Sequence, residues 1–316
     1  MKTQLGSTLP THILFTLFLL AGVAAGCAAQ TPTPSPGGGE KLHITVSILP
    51  QQYFVERIGG EYVQTTVMVP PGGNPHTYEP KPEQMQALSR AAAYMSIGVS
   101  FEDAWLDRIR AANREMRMVD TTQGIERIEM TVAHDHEGEE ADHEEEDEGH
   151  KEGNLDPHIW TSPALVKVQA QTIYNALVQL DPTHEATFQV NLDAFLADIE
   201  QLEARIREAL AGLENEKFLV FHPSWGYFAR DFGLEMISIE IEGKEPSAAE
   251  MAAVIAEAKE EGIRVIFAQP ELSTKSATTI ANEIGGEVLL ISPLAYDWLA
   301  NMEQVATTFA ETLKRP

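Results

Sequence analysis

Between Asp181-Pro182 and Gly212, seven apolar residues, Phe188, Leu192, Phe195, Ile199, Leu202, Ile206 and Leu210, recur at spacings of three or four. That is the period of one face of an α-helix. A helix from Pro182 to Gly212 is roughly 45 Å long at 1.5 Å per residue, far longer than a crossover within one sheet requires. Such a segment is expected to be a stiff spine shared by two bodies. The 316 residues, 43% hydrophobic, hold enough apolar side chains for two cores and too many for one ordinary core.

On both sides of the spine, strand-like and helix-like stretches alternate. His43 to Leu49, Tyr62 to Val69, Ala93 to Val99 and Met116 to Thr121 are short β-branched or aliphatic runs. Helix-compatible sequence follows the first as far as Ile58, and Pro80 to Arg90 and Glu102 to Arg114 are helical stretches. After the spine, Phe218 to Phe221, Met236 to Ile241, Arg264 to Ala268 and Val288 to Ile291 repeat the scheme. Ser247 to Glu261 opens with a capping-box arrangement, and Ser276 to Ile284 stops at Gly285-Gly286. The expected fold is α/β: two lobes, each with a roughly four-stranded parallel sheet flanked by helices, joined by one long spine helix. The expected boundaries are 41–180 for the first lobe, 181–213 for the spine and 214–316 for the second lobe.

Residues 1–26 carry Lys2 and an apolar run from Ile13 to Gly26, too short to span a bilayer unaided. They read as an export signal. The only cysteine, Cys27, follows in Ala24-Ala25-Gly26-Cys27, an arrangement similar to a bacterial lipobox. A lone cysteine in an exported chain closes no internal disulfide, so Cys27 is expected to carry a lipid that attaches the protein to a membrane. Residues 27–40 carry the lipid anchor and, at Gln30 to Gly39, QTPTPSPGGG, a composition expected to form an extended tether.

The formal charge is -26, from 22 basic and 48 acidic residues. That excludes the cationic footprint needed for nucleic acid or anionic headgroups. Residues 134–152, HDHEGEEADHEEEDEGHKE, hold 11 acidic residues, one lysine and the four histidines His134, His136, His143 and His150. A solvated, disordered loop is expected there.

No Gly-rich phosphate loop, Ser-centred elbow or HExxH is present. Histidines are the informative residues. His76 lies in Pro70-Pro-Gly-Gly-Asn-Pro-His-Thr-Tyr-Glu-Pro80, where prolines fix the path and glycines permit a sharp turn. His158 lies in Asp156-Pro-His-Ile-Trp160, and His222 ends a strand in Phe221-His-Pro-Ser-Trp-Gly-Tyr-Phe228. A strand's carboxyl end is where α/β folds bind ligands. Taken singly, each histidine reads as readily as a hydrogen-bonded turn residue, and separations of 82 and 64 residues say nothing about proximity. Trp160, Trp225 and Tyr227 read as core.

The motifs PPGGNPHTYEP, NLDPHIW, FHPSWGYFA, IEGKEPSAAEM and QPELSTKSATTIANEIGG, in this order, resemble those of the zinc and manganese receptors of ABC importers. The resemblance covers most of residues 41–316. It implies two α/β lobes joined by a spine helix, with one metal in the cleft between them. It implies His76 and His158 as ligands and His222 as the third, where manganese receptors often have glutamate, and so favours Zn²⁺ over Mn²⁺. An aspartate often supplies a fourth ligand, but Ser292 stands at that place. Three neutral imidazoles with water or a loop carboxylate suit zinc, whereas manganese wants more oxygen. Asp156 is a candidate to orient an imidazole. The acidic loop resembles the metal-rich loop of many zinc receptors, making His134, His136, His143 and His150 an accessory metal site. The implied partners are a membrane permease and its cytoplasmic ATPase, met by a monomer outside the cytoplasm.

Three rival readings remain at this stage: a manganese receptor of the same family, a surface adhesin or zinc buffer, and a zinc hydrolase using an open water position. No general base is identifiable for the last, and no enzymatic activity is expected. With imidazoles near their ordinary pKa, affinity should fall steeply below about pH 6. The spine should restrict lobe motion to small rocking.

Overall fold

The structure is a computed structural model that describes residues 40–130, 155–213, 215–240 and 246–314. The expected export signal, Cys27, the expected tether to Gly39 and the segment with His134, His136, His143 and His150 lie outside the described residues. Among the described residues no helix is long and apolar enough to cross a membrane.

The first sheet is built from β1 (Leu42–Val46), β2 (Val63–Val67), β3 (Ala93–Ser96) and β4 (Arg117–Asp120), joined through α1 (Leu49–Gly59), α2 (Pro82–Ala87) and α3 (Ser100–Ala112). Helices α4 (Pro163–Leu180) and α5 (Glu185–Ala209) follow. The second sheet contains β5 (Lys217–Val220), β6 (Glu235–Ser238), β7 (Val265–Ala268) and β8 (Glu287–Leu290), with α6 (Gly226–Phe232), α7 (Ala248–Glu260), α8 (Lys275–Ile284) and finally α9 (Trp298–Leu313). Both sheets are four-stranded and parallel, in the orders β2-β1-β3-β4 and β6-β5-β7-β8. In each, the order reverses beside the first strand, which places a crevice at the carboxyl ends of β1 and β5.

Local chemistry sets the ends of these elements. Ser247 accepts from the Glu250 N–H while Glu250 accepts from the Ser247 N–H at 2.6 Å, closing the expected capping box on α7. Gly285 ends α8 at φ 67°, and a Cβ on Gly286 would lie 2.0 Å from the Arg264 carbonyl oxygen, so only glycine fits this passage into β8.

Two details differ from the sequence expectation. The spine helix starts at Glu185 rather than Pro182, because Pro182–His184 forms a 3₁₀ turn whose first amide is capped by Asp181. It is also not alone. Ser162 caps α4 and α4 folds back on α5, while α1 and α9 pack on α5 as well. The predicted stripe is buried: Phe188, Leu192, Phe195, Ile199, Leu202 and Ile206 all face inward.

Nor do the two cores correspond to the two lobes. Along β5, Phe218 and Val220 face one way and Leu219 and Phe221 the other; β7 divides likewise into Val265 and Phe267 against Ile266 and Ala268. One face covers a small core under α7 and α8. The other joins the apolar interior of the first sheet, through α4, α5 and α9, in a single cluster. Phe309 of α9 lies with its ring centroid 4.6 Å from those of Phe218 and Phe267, and Trp298 meets Phe54 of α1 edge-on at 5.4 Å. Such aromatic pairs add about 0.5–1.5 kcal/mol each beyond their buried area.

Candidate metal centre

Three chain segments meet where the carboxyl ends of the strands face one another. The chain leaves β2 through Val69, whose N–H donates to Ser47 O at 3.0 Å, and enters the Pro-Gly loop. Asn74 accepts from the His76 N–H at 2.8 Å, and Phe101 N–H donates to Pro75 O at 3.1 Å, pinning the loop against the start of α3. His158 sits in the turn before α4, and His222 stands two residues beyond the end of β5.

His158 and His222 are buried at 2% and 4% exposure, whereas His76 is only partly covered, so the cluster meets solvent on the His76 side. One ring nitrogen from each lies within 4.8 Å of the other two. The Nε2 atoms of His76 and His222 are 3.0 Å apart, and those of His222 and His158 are 3.4 Å apart. Tetrahedral zinc with Zn–N bonds of 2.0–2.1 Å places its nitrogens about 3.3 Å apart.

The opposite ring nitrogens decide what these atoms can do. His158 Nδ1 lies 2.7 Å from Asp156 Oδ1, which also accepts the His158 N–H at 2.8 Å. His222 Nδ1 is hydrogen-bonded to Glu240, and His76 Nδ1 lies 3.0 Å from Ser100 Oγ. An ionised carboxylate only accepts, so Nδ1 of His158 and of His222 carries the proton and Nε2 presents a lone pair. The Nε2 lone pairs of His158 and His222 converge, repel one another and attract a cation, with His76 Nε2 lying against them.

The sequence singled out Asp156; it did not single out Glu240 or Ser100. Glu240 lies 18 residues beyond its histidine in a separate strand exit, and Ser100 begins a helix, so neither spacing marks them. Trp160, Trp225 and Tyr227 are core, as expected, at 0–1% exposure. They also tie the halves together: Trp160 Nε1 donates to Pro293 O at 2.7 Å, and Tyr227 Oη donates to Asp156 O at 2.8 Å. Ser292, at the place of the family's fourth ligand, donates its hydroxyl to Glu271 and accepts from Leu294 N–H.

A model of the zinc-uptake complex component A, periplasmic, ZnuA, matches residues 44–312. The chain belongs to the zinc-uptake component A family. Among proteins similar to it is a ZnuA deletion variant, solved as a crystal structure with zinc bound, 46% identical over 88% of this chain and 100% of that one at a TM-score of 0.78. The high-affinity zinc uptake system protein ZnuA of Bacillus subtilis (strain 168) is 28% identical over 89% of this chain and 87% of its own length. The manganese-binding lipoprotein MntA of Halalkalibacterium halodurans is 27% identical over 87% and 86%. Metal binding is common to these relatives of the family.

Burial, then repulsion from His222 and His158, lowers the His76 pKa to about 3. His222 is also lowered, by burial first, against the opposing pull of Glu240. The steep loss of affinity expected below about pH 6 rested on ordinary imidazoles; the rings of His76 and His222 stay neutral to lower pH, which moves that loss downward. The sign for stability follows. Below about 6.5 the unfolded chain protonates His76 while the metal-free fold does not, so stability is complete above 6.5 and falls as pH drops towards 3. Glu102, which burial pushes up to about 7, acts in the opposite sense between its unfolded value and 7. The His76 contribution is therefore read as a difference. Between pH 6.5 and 5 the metal-free wild type should lose on the order of 1 kcal/mol, about 2–4 °C in Tm, relative to His76→Ala. Parallel Tm curves for the two proteins would contradict it.

Proposed function

We propose that this chain captures Zn²⁺ outside the cytoplasm through His76, His158 and His222, and delivers it to the permease of an ABC importer driven by a cytoplasmic ATPase. The convergence of three Nε2 atoms, each with its ring held from behind by an oxygen, carries the reading. An all-imidazole set favours zinc over manganese, which prefers oxygen-rich coordination. The zinc-bound family structure and the Bacillus zinc-uptake relative support the same choice.

The protein acts as a monomeric carrier, held at the outer face of the membrane by lipidated Cys27 and the Pro-Gly tether, with its folded body divided as 41–180, 181–213 and 214–316. Water completes the coordination, Ser292 being engaged with Glu271. The loop with His134, His136, His143 and His150 collects zinc weakly beside the main site. No chemistry is performed on the cargo, and the shared core favours small rocking over wide lobe opening.

A manganese carrier is the second reading, because a manganese-binding lipoprotein is among the relatives. Competition of Zn²⁺ against Mn²⁺ on the metal-stripped protein, read by calorimetry and metal analysis, separates the two. One tight zinc per chain, undisplaced by excess manganese, is expected; preferential retention of manganese would overturn the zinc assignment.

A further inference from the structure

Glu102 is 3% exposed, and the metal site does not touch it. Its carboxylate accepts from Ile97 N–H at 3.1 Å, from Gly98 N–H at 2.6 Å and from the Ser47 hydroxyl, all neutral donors. Ser47 is hydrogen-bonded in turn to Tyr94 Oη at 2.6 Å, and its N–H donates to Gln51, which reaches Thr121. Burying a carboxyl this completely is costly unless every acceptor position is filled, so the group is held for what it fixes.

What it fixes is both anchors of the loop that carries His76. Ser47 O receives the Val69 N–H where that loop begins. Ser100 and Phe101, immediately before Glu102, hold its far end: Phe101 N–H binds Pro75 O, and Ser100 Oγ lies against His76 Nδ1. Between β3 and Ser100 the chain turns at Gly98, φ 78°, a left-handed conformation that favours glycine, and its N–H is one of the donors to Glu102.

We propose that Glu102 is a positioning residue for His76, locking the start of α3 against the end of β1 so that the imidazole is presented to the metal without rearrangement. The inference rests on His76 being a ligand. Glutamine has the same shape and can offer its oxygen to Ile97 and Gly98 and its amide to Ser47, so it should preserve the lock; alanine removes it. Burial raises the Glu102 pKa to about 7, in keeping with tolerance of a neutral isostere.

The test is the rate of Zn²⁺ release from the full chain into a chromogenic chelator, measured for wild type, Glu102→Ala and Glu102→Gln, each with and without His76→Ala. Glu102→Ala should release Zn²⁺ roughly 10-fold faster, the low end for groups that orient a ligand from behind, and Glu102→Gln should stay within about 2-fold of wild type. In the His76→Ala background Glu102→Ala should change nothing further, which a loosened fold would not reproduce. If Glu102→Ala does not fold, Ser47→Ala takes its place, with release about 3-fold faster and the same dependence on His76. Unchanged release in a folded alanine variant, or an equal acceleration without His76, overturns the proposal while leaving the metal site intact. If His76→Ala alone leaves release unchanged, the ligand assignment fails and the proposal with it.

Discussion

The chain with His76, His158 and His222 all replaced by alanine is expected to fold and to bind no tight zinc. Each ring contributes one Nε2 and alanine contributes none, so the loss should exceed the roughly 10- to 100-fold seen when only an orienting partner is removed. Folding should survive, because the buried clusters draw on strands and helices away from the triad. Deleting residues 133–153 should leave the tight site in place. Calorimetric titration of both variants decides the matter: tight zinc that survives the triple substitution and vanishes with the deletion would make the chain a surface zinc buffer instead.

Removing a backing carboxylate is the next largest expected effect. Asp156→Ala should weaken zinc by about 10- to 100-fold, because the His158 ring then loses the acceptor that fixes both its tautomer and its plane. Among the described residues Asp156 and His158 are one of the most buried polar pairs, and Asp156 Oδ2 has no partner there, so the carboxylate serves the histidine. Asp156→Asn keeps an acceptor and should lose less. Glu240→Ala should act likewise on His222, somewhat more mildly because Glu240 is less covered. Chelator competition measures all three; affinities equal to wild type would show that the rings are held by packing alone.

Much of this was readable beforehand, for specific reasons. The strand and helix order, the capping box on α7 and the glycine stop of α8 are local events, written within a few residues, and they stand where the spacing placed them. Helices α4 and α9 carry equally plain signals, Ser162-Pro163 and Asp297 caps with apolar residues every three or four. The union of both sheets in one core was not legible, because period-two alternation marks the two faces of a strand without saying what each face meets. At the site, the histidines were picked out by their rigid turns and by the family resemblance. Glu240, Ser100 and Glu102 depend on contacts between distant segments, which no spacing encodes.

The apolar cluster that runs through both sheets fixes the order of events in the life of the molecule. His76, His158 and His222 come from three stretches of chain that become neighbours only when that shared interior has formed. An emerging, half-built chain, lacking that interior, should therefore hold no assembled triad. For the same reason, an ion held in the triad stabilises the folded body as one cooperative unit, by an amount that grows with the logarithm of free metal. Scarcity of metal should then be felt as faster turnover of the whole carrier.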